Sequence, residues 1–273
     1  VADQIIEALS KKGRLDYDGR PIFGFSCIEL VEMMNGISNN IEIIPAHCWT
    51  SWFSIFGSKS GFDSVEECFK EKSKYIHALE TGMSSDPSMN WRISKLDRYN
   101  MVSFSDSHSF WPWRMGREAT IFDTKFSYKE IINAIRTGNG LVKTIETYPE
   151  YGKYHYDGHR NCGIVFNPEE SLKNNKICPK CGNILTIGVL NRVEELADRK
   201  SGFRKENAKD FVKIIPLTEL ISVVYGINQL GSKKIWEIYN GMIKHFGNEI
   251  NILLNAEITK LEKVIDKKLA DSI

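Results

Sequence analysis

Short apolar runs that each end in a polar residue recur through the first half of the chain, with helix-like segments between them. The runs are IEIIPAH, YIHALE and YNMVSFSD, which end at His47, Glu80 and Asp106. The segment SVEECFKEK, residues 64–72, begins with a serine followed by acidic residues, which is typical of a helix start. Repeated strand–helix units predict parallel strands in a mixed α/β fold.

The polar residues at these run ends are candidate metal ligands. In an α/β barrel or an open parallel sheet, the carboxyl ends of the strands share one face, so we expect His47, Asp106 and His108 to gather there. Asp106 and His108 alternate, so in an extended segment both face the same side. Mixed nitrogen and oxygen ligands suit Zn²⁺, Mn²⁺ or Fe. Taken singly, an aspartate such as Asp106 is more often a helix cap or a loop residue, and a histidine such as His47 is more often a buried core residue. Glu80 is either a further acid at the edge of the site or a residue that hydrogen-bonds to a metal ligand.

The remaining pattern predicts three parts. A helix over 127–137 with Ser127 as its cap and Gly138 at its end is followed by a last strand, LVKTIET. After Glu146 the sequence turns abruptly to the Tyr-, Gly- and His-rich YPEYGKYHYDGHRNCG. We therefore expect an α/β domain over 1–147, a small zinc-binding module over 148–191 and a helical region over 192–273. The helical region is either a helix-hairpin-helix that contacts DNA or an ordinary helical packing domain.

Two ligand pairs with a spacing of two residues indicate a zinc site. His159 and Cys162 form the first pair, and Cys178 and Cys181 form the second in CPKCG. Each short turn can direct both of its ligands at one centre, as in structural zinc modules with tetrahedral coordination. The alternatives are a redox-active CPKC pair with a surface histidine, or His155 in place of His159.

Loops rich in aromatic and basic residues follow the candidate strand ends. HSFWPWRMGRE includes Arg114 and Arg117, and CWTSWFSIFGSKSGF includes Lys59. Such loops suit stacking on bases and gripping of phosphates, so these three cations are candidate DNA contacts. The alternative is that most of the aromatic residues are core that anchors the loops.

Composition restricts the function classes. The 273 residues carry 36 Lys and Arg against 35 Asp and Glu, a net charge of +1, so a nucleic-acid surface would have to be local. No apolar run approaches the roughly 20 residues that span a bilayer, and the N-terminus lacks a signal peptide pattern. We expect a cytoplasmic protein with no membrane partner.

The motifs IPAHCWTSWFSIFGSKSGF, ALETGMSSDPSMNWRISKLDRY, SDSHSFWPWRMGREA and ICPKCGNILTIGVLNRVEELADR resemble the endonuclease Q family over nearly the whole chain. The resemblance implies a DNA repair endonuclease with a PHP-type (polymerase and histidinol phosphatase) distorted α/β barrel. It implies cleavage 5′ of deaminated bases or abasic sites, with Mg²⁺, Mn²⁺ or Zn²⁺ at His47, Asp106 and His108. It also implies structural Zn²⁺ at His159, Cys162, Cys178 and Cys181. Repair or replication proteins are further expected partners.

One departure from this family is the H-x-H motif with which PHP domains open, because no H-x-H occurs in this chain. We therefore expect a barrel that lacks its first strands and an incomplete metal centre. Two other functions stay open from the sequence: a non-catalytic zinc-ribbon adaptor that binds DNA or a helicase, and a PHP phosphatase of small phosphoesters.

Overall fold

The computed structural model describes residues 1–17, 21–59 and 61–273 as a mixed α/β protein with small sheets. The α-helices are α1 (Ala2–Ser10), α2 (Cys27–Ile37), α3 (Val65–Phe69), α4 (Pro87–Asn90), α5 (Tyr128–Thr137), α6 (Pro168–Lys173), α7 (Val189–Leu196), α8 (Leu217–Tyr225), α9 (Lys233–Phe246), α10 (Glu249–Asn255), α11 (Ile258–Leu261) and α12 (Lys267–Ala270). The strands are β1 (Ala78–Glu80), β2 (Asn100–Val102), β3 (Ala119–Phe122), β4 (Leu141–Glu146), β5 (Asp157–His159), β6 (Ile164–Phe166) and β7 (Asp210–Lys213).

Two of the three expected strand runs pair in parallel. β1 and β2 lie side by side with Glu80 opposite Val102, so their carboxyl ends meet at one edge as the pattern predicts. The prediction of a strand in the first run is wrong, because residues 41–45 do not form a strand. Pro45 has no N–H to donate to a ladder, and its carbonyl instead accepts a single bond from the Glu80 N–H at 3.1 Å.

A second sheet joins distant parts of the chain. β4 pairs antiparallel with β3 and parallel with β7, and the predicted last strand is confirmed as β4. α5, which packs near this sheet, begins and ends where the sequence predicts. The Ser127 side chain accepts from the Glu130 N–H, and Gly138 ends the helix at φ 76°.

Most of the buried apolar side chains form two large cores. The first contains Trp49, Phe56, Leu79 and Tyr99, together with Val193 of α7. The second consists of residues from 217 onward, with the α8–α9 pair at its centre. α7 and β7 therefore pack with the N-terminal part. The boundaries at 147 and 191 stay predictions, as does the partial PHP barrel, since the described strands form sheets of two, three and two strands.

No helix in the described part of the chain combines the length and the apolar character that a bilayer span requires.

Candidate metal centres and nucleic-acid surface

The His159–Cys181 cluster is built on a small hairpin. β5 and β6 pair antiparallel with His159 opposite Ile164, and Cys162 lies in the 3-10 turn Arg160–Cys162 that joins them. The second pair of ligands lies in the turn closed by the bridge between Ile177 and Ile184. The sequence therefore places one ligand pair in each of two short turns, as expected.

The four ligand side chains converge. The metal-ligating atoms of His159, Cys162, Cys178 and Cys181 all lie within 4.8 Å of one another, with the Cys181 Sγ 3.3 Å from the His159 Nδ1. Burial opposes ionisation of the Cys178 thiol, but hydrogen bonds from the Lys180 and Cys181 N–H groups and from the Cys181 and His159 side chains together lower its pKa to about 6. Three thiols and one imidazole suit tetrahedral Zn²⁺ and leave no open position for substrate.

His155 is not part of this cluster. Its ring is buried edge-on against Tyr156, at 4.7 Å between centroids, and burial lowers its pKa. The hairpin is instead attached to α7 by Asp157, whose carboxylate accepts from the Gly188 N–H at 2.6 Å and from the Asn191 side chain. The module is thereby fixed to the N-terminal core.

Glu80, at the end of β1, holds the loop that carries His47. The Glu80 carboxylate accepts from the His47 N–H at 2.5 Å, and the Glu80 carbonyl accepts from the Cys48 N–H at 3.0 Å. His47 has a positive φ of 33°, which is uncommon for a residue other than glycine. Gly82 has a φ of 55°, which favours glycine, and a Cβ on it would approach the His47 Cβ to 3.2 Å. The His47 Nδ1 lies 3.2 Å from the Thr50 hydroxyl.

Asp106 and His108 lie beyond the end of β2. The His108 Nε2 is 3.6 Å from the Asp106 Oδ1, and both side chains are exposed. Burial raises the pKa of Glu80, the hydrogen bond from the His47 N–H opposes that rise, and the Asp106 charge adds to it.

The structure brings Asp106 and His108 together, but the two do not form a close three-residue group with His47 of the kind that His159, Cys162, Cys178 and Cys181 form. Among the described residues, the only group of three or more His, Cys, Asp or Glu side chains placed to hold one metal ion is the His159–Cys181 cluster. A shared catalytic metal at His47, Asp106 and His108 therefore stays a prediction.

Two further buried carboxylates were not expected from the sequence: Glu146 at the end of β4 and Glu118 directly before β3. The Glu146 Oε2, at the end of β4, accepts from the Thr81 and Ser103 hydroxyls at 2.9 Å each, and burial raises the pKa of Glu146 to about 8. The Glu146 Oε1 has no hydrogen-bond partner among the described residues. Burial also raises the pKa of Glu118. The sequence feature that could have predicted both carboxylates is an acidic residue at the edge of an apolar run.

The three candidate DNA-contacting cations differ in accessibility. Lys59 and Arg114 are exposed. Arg117 is only 9% exposed and donates to the Glu118 carboxylate at 2.7 Å, so its guanidinium is engaged inside the protein. Its contact with DNA stays a prediction that this ion pair disfavours.

The basic stretch from residue 192 to 213 is largely neutralised within the fold. Its arginines pair with carboxylates: Arg192 with Asp63, Arg199 with Asp97 and Arg204 with Asp210. The first two ion pairs attach this segment to the N-terminal part of the protein, so Arg192 and Arg199 stabilise the fold.

The C-terminal helices fit a hairpin arrangement. α8 ends at Gly226 with φ 66°, and the Ser232 hydroxyl caps α9. At the start of α9, the Lys234 ammonium lies 5.8 Å from the Tyr225 ring centroid. DNA contact by this helix pair stays a prediction.

Comparisons with known proteins show that the chain is similar to endonuclease Q. Residues 216–273 match the family described as the MJ0043 C-terminal domain. Uncharacterized protein MJ0043 of Methanocaldococcus jannaschii is 35% identical over 233 residues, which cover 83% of this chain and 28% of that protein. Uncharacterized protein YqxK of Bacillus subtilis is 29% identical over 252 residues, or 90% of this chain and 58% of that protein. The chain thus spans less than two thirds of either relative.

Two solved structures match the whole chain. The lesion-specific endonuclease PfuEndoQ from Pyrococcus furiosus matches with a TM-score of 0.85 and 29% identity, over 67% of that chain. Endonuclease Q in complex with a 27-mer duplex that has an abasic lesion at the active site matches with a TM-score of 0.87 and 29% identity, over 68% of that chain. The resemblance found in the sequence motifs is confirmed: over its whole length, this chain is similar in structure and sequence to endonuclease Q.

Proposed function

We propose that this protein is a metal-dependent DNA endonuclease that cleaves 5′ of deaminated bases or abasic sites in DNA repair. The observation that carries the proposal is the match of the whole chain, at a TM-score of 0.87, to an endonuclease whose active site holds an abasic lesion in a duplex. We place the reaction on the rim that carries the exposed side chains of Asp106 and His108 and the half-buried His47.

His47, Asp106 and His108 would hold a divalent metal such as Mg²⁺, Mn²⁺ or Zn²⁺. Such a metal supplies an activated water and stabilises charge on the scissile phosphate. The donor set fits, because imidazole and carboxylate ligands suit Mn²⁺ and Zn²⁺. The chain's own contribution is positional: Glu80 fixes the backbone of His47, and the exposed Arg114 can contact a phosphate beside the rim.

We assign structural Zn²⁺ to His159, Cys162, Cys178 and Cys181. These side chains already converge on one point, and a closed four-ligand set contributes folding free energy rather than chemistry. We place the protein in the cytoplasm, where its partner is damaged DNA and where repair or replication proteins are further partners.

The test is cleavage of end-labelled duplexes by the full-length natural protein with added Mn²⁺ or Mg²⁺. Duplexes with a single uracil, hypoxanthine or abasic site should be nicked only 5′ of the lesion. The undamaged control duplex should stay intact. Binding without a nick would support the zinc-ribbon adaptor, and hydrolysis of small phosphate monoesters alone would support the phosphatase. Either of these results would overturn the endonuclease proposal.

A further inference from the structure

The loop that follows Asp106 and His108 carries a column of aromatic rings. Phe110 stacks on Trp111 with 5.0 Å between centroids and 26° between planes. Trp111 stacks in turn on Trp113, at 4.7 Å and 11°. Three consecutive rings are therefore nearly parallel, and Trp111 is the middle ring.

The inner end of this column is anchored in the C-terminal helices. The Trp236 ring of α9 lies 6.1 Å from both Trp111 and Trp113, and it packs edge-on against Tyr239 at 5.0 Å. Trp113 is buried, and Trp236 packs against the second apolar core. A loop without helix or strand is thus held by ring packing from a different part of the fold.

The outer end of the column is open. Phe110 is 74% exposed although one of its faces lies on Trp111, so the opposite face is left to solvent. This free ring face lies two residues after His108 in the chain, so it is available to a ligand bound beside the candidate metal site. Arg114 is exposed in the same loop, and its backbone N–H donates to the Trp111 carbonyl at 2.9 Å, so an exposed cationic residue follows Trp111 in the same turn.

We propose that the free face of Phe110 is a stacking platform for one unpaired nucleobase of the DNA beside the lesion. The inference rests on the proposed function and adds a residue to it. Every base has a π-face, so an anchored ring can take an unstacked base without reading its identity. The rigid column means that little ring freedom is lost on binding, and Arg114 offers a positive charge to the adjoining phosphate. Trp111 and Trp113, which the sequence suggests as stacking residues, are already occupied by the column.

The experiment measures binding and base stacking without cleavage. The full-length natural protein, with Ca²⁺ in place of Mn²⁺, is titrated into a labelled abasic duplex that carries 2-aminopurine beside the lesion, with the undamaged duplex as reference. Anisotropy gives the dissociation constant, and quenching of 2-aminopurine reports stacking on an aromatic ring. Phe110→Ala removes the platform and Phe110→Tyr keeps it. Phe126→Ala is the matched control, because Phe126 is fully exposed in another loop.

We expect Phe110→Ala to weaken binding of the abasic duplex roughly five- to hundredfold and to abolish its extra quenching. Phe110→Tyr and Phe126→Ala should bind and quench like the wild type. Near-ultraviolet circular dichroism should show the tryptophan signals unchanged in Phe110→Ala, which confirms an intact column. If the wild type binds the abasic duplex and Phe110→Ala binds and quenches equally, this inference fails while the proposed function stands. If the wild type does not prefer the abasic duplex, both fail.

Discussion

Replacement of Glu146 by glutamine should change how the free energy of unfolding depends on pH. The Glu146 carboxyl is buried at the end of β4, and burial raises its pKa from 4.5 to about 8. The difference of roughly 3.5 units, at 1.36 kcal/mol per unit, corresponds to a pH-dependent free energy on the order of 5 kcal/mol. This is an upper bound, because it assigns the whole shift to folding.

The sign follows from proton uptake. Below about pH 4.5 the carboxyl is protonated in both states, so its contribution to stability is fully present. Between pH 4.5 and about 8 the unfolded chain loses the proton while the folded chain keeps it, so stability falls as pH rises. Glutamine keeps the shape of the neutral carboxyl and cannot ionise. The stability of Glu146→Gln relative to wild type should therefore increase steadily across this range.

Urea unfolding at pH 5, 6, 7 and 8 gives the two stability curves, and their difference removes the contributions of the other buried carboxyls. The exposed Glu206→Gln is the matched control and should follow the wild-type curve. A difference between Glu146→Gln and wild type that stays constant within about 0.5 kcal/mol from pH 5 to pH 8 would refute the protonated, buried state of Glu146.

Three further predictions concern the zinc cluster, the His47 loop and the aromatic column. Cys178→Ser should reduce bound zinc from about one ion per chain toward none, as measured by metal analysis after gel filtration, and a variant that retains one tightly bound ion would contradict the four-ligand site. Glu80→Ala should lower the free energy of unfolding by about 2–3 kcal/mol, because the buried carboxylate accepts a charge-assisted hydrogen bond from the His47 N–H. The control Glu71→Ala, at an exposed position, should change the free energy of unfolding by less than about 0.5 kcal/mol. Trp236→Ala should weaken the tryptophan signals of near-ultraviolet circular dichroism and open the 104–116 loop to protease, and unchanged spectra and digestion would contradict the anchoring by α9.

Local patterns were sufficient to predict much of the secondary structure. β1, β2, β4 and α5 follow from apolar runs and a cap that act over a few residues. The convergence of His159, Cys162, Cys178 and Cys181 could also be predicted, because each pair is local and only the two pairs had to meet. These features depend on interactions that are close along the chain.

Long-range features could not be read from the same patterns. The pairing of β7 with β4 joins Asp210 to Lys143, far apart along the chain, and nothing in the composition of either segment marks the other. The neutralisation of Arg117 by the neighbouring Glu118 depends on burial, which a charged and aromatic segment does not reveal. The position of Trp236 against the loop after His108 likewise depends on how the C-terminal core packs.

The central claim is that His47, Asp106 and His108 serve one metal-dependent reaction on damaged DNA. The most direct measurement is the single-turnover rate at which the full-length natural protein nicks an abasic duplex in Mn²⁺, compared with its His47→Ala and Asp106→Asn variants. We predict a Mn²⁺-dependent nick 5′ of the lesion in the wild type and a loss of at least about 100-fold in each variant, equivalent to several kcal/mol in the transition state. Wild-type rates in both variants would contradict the account.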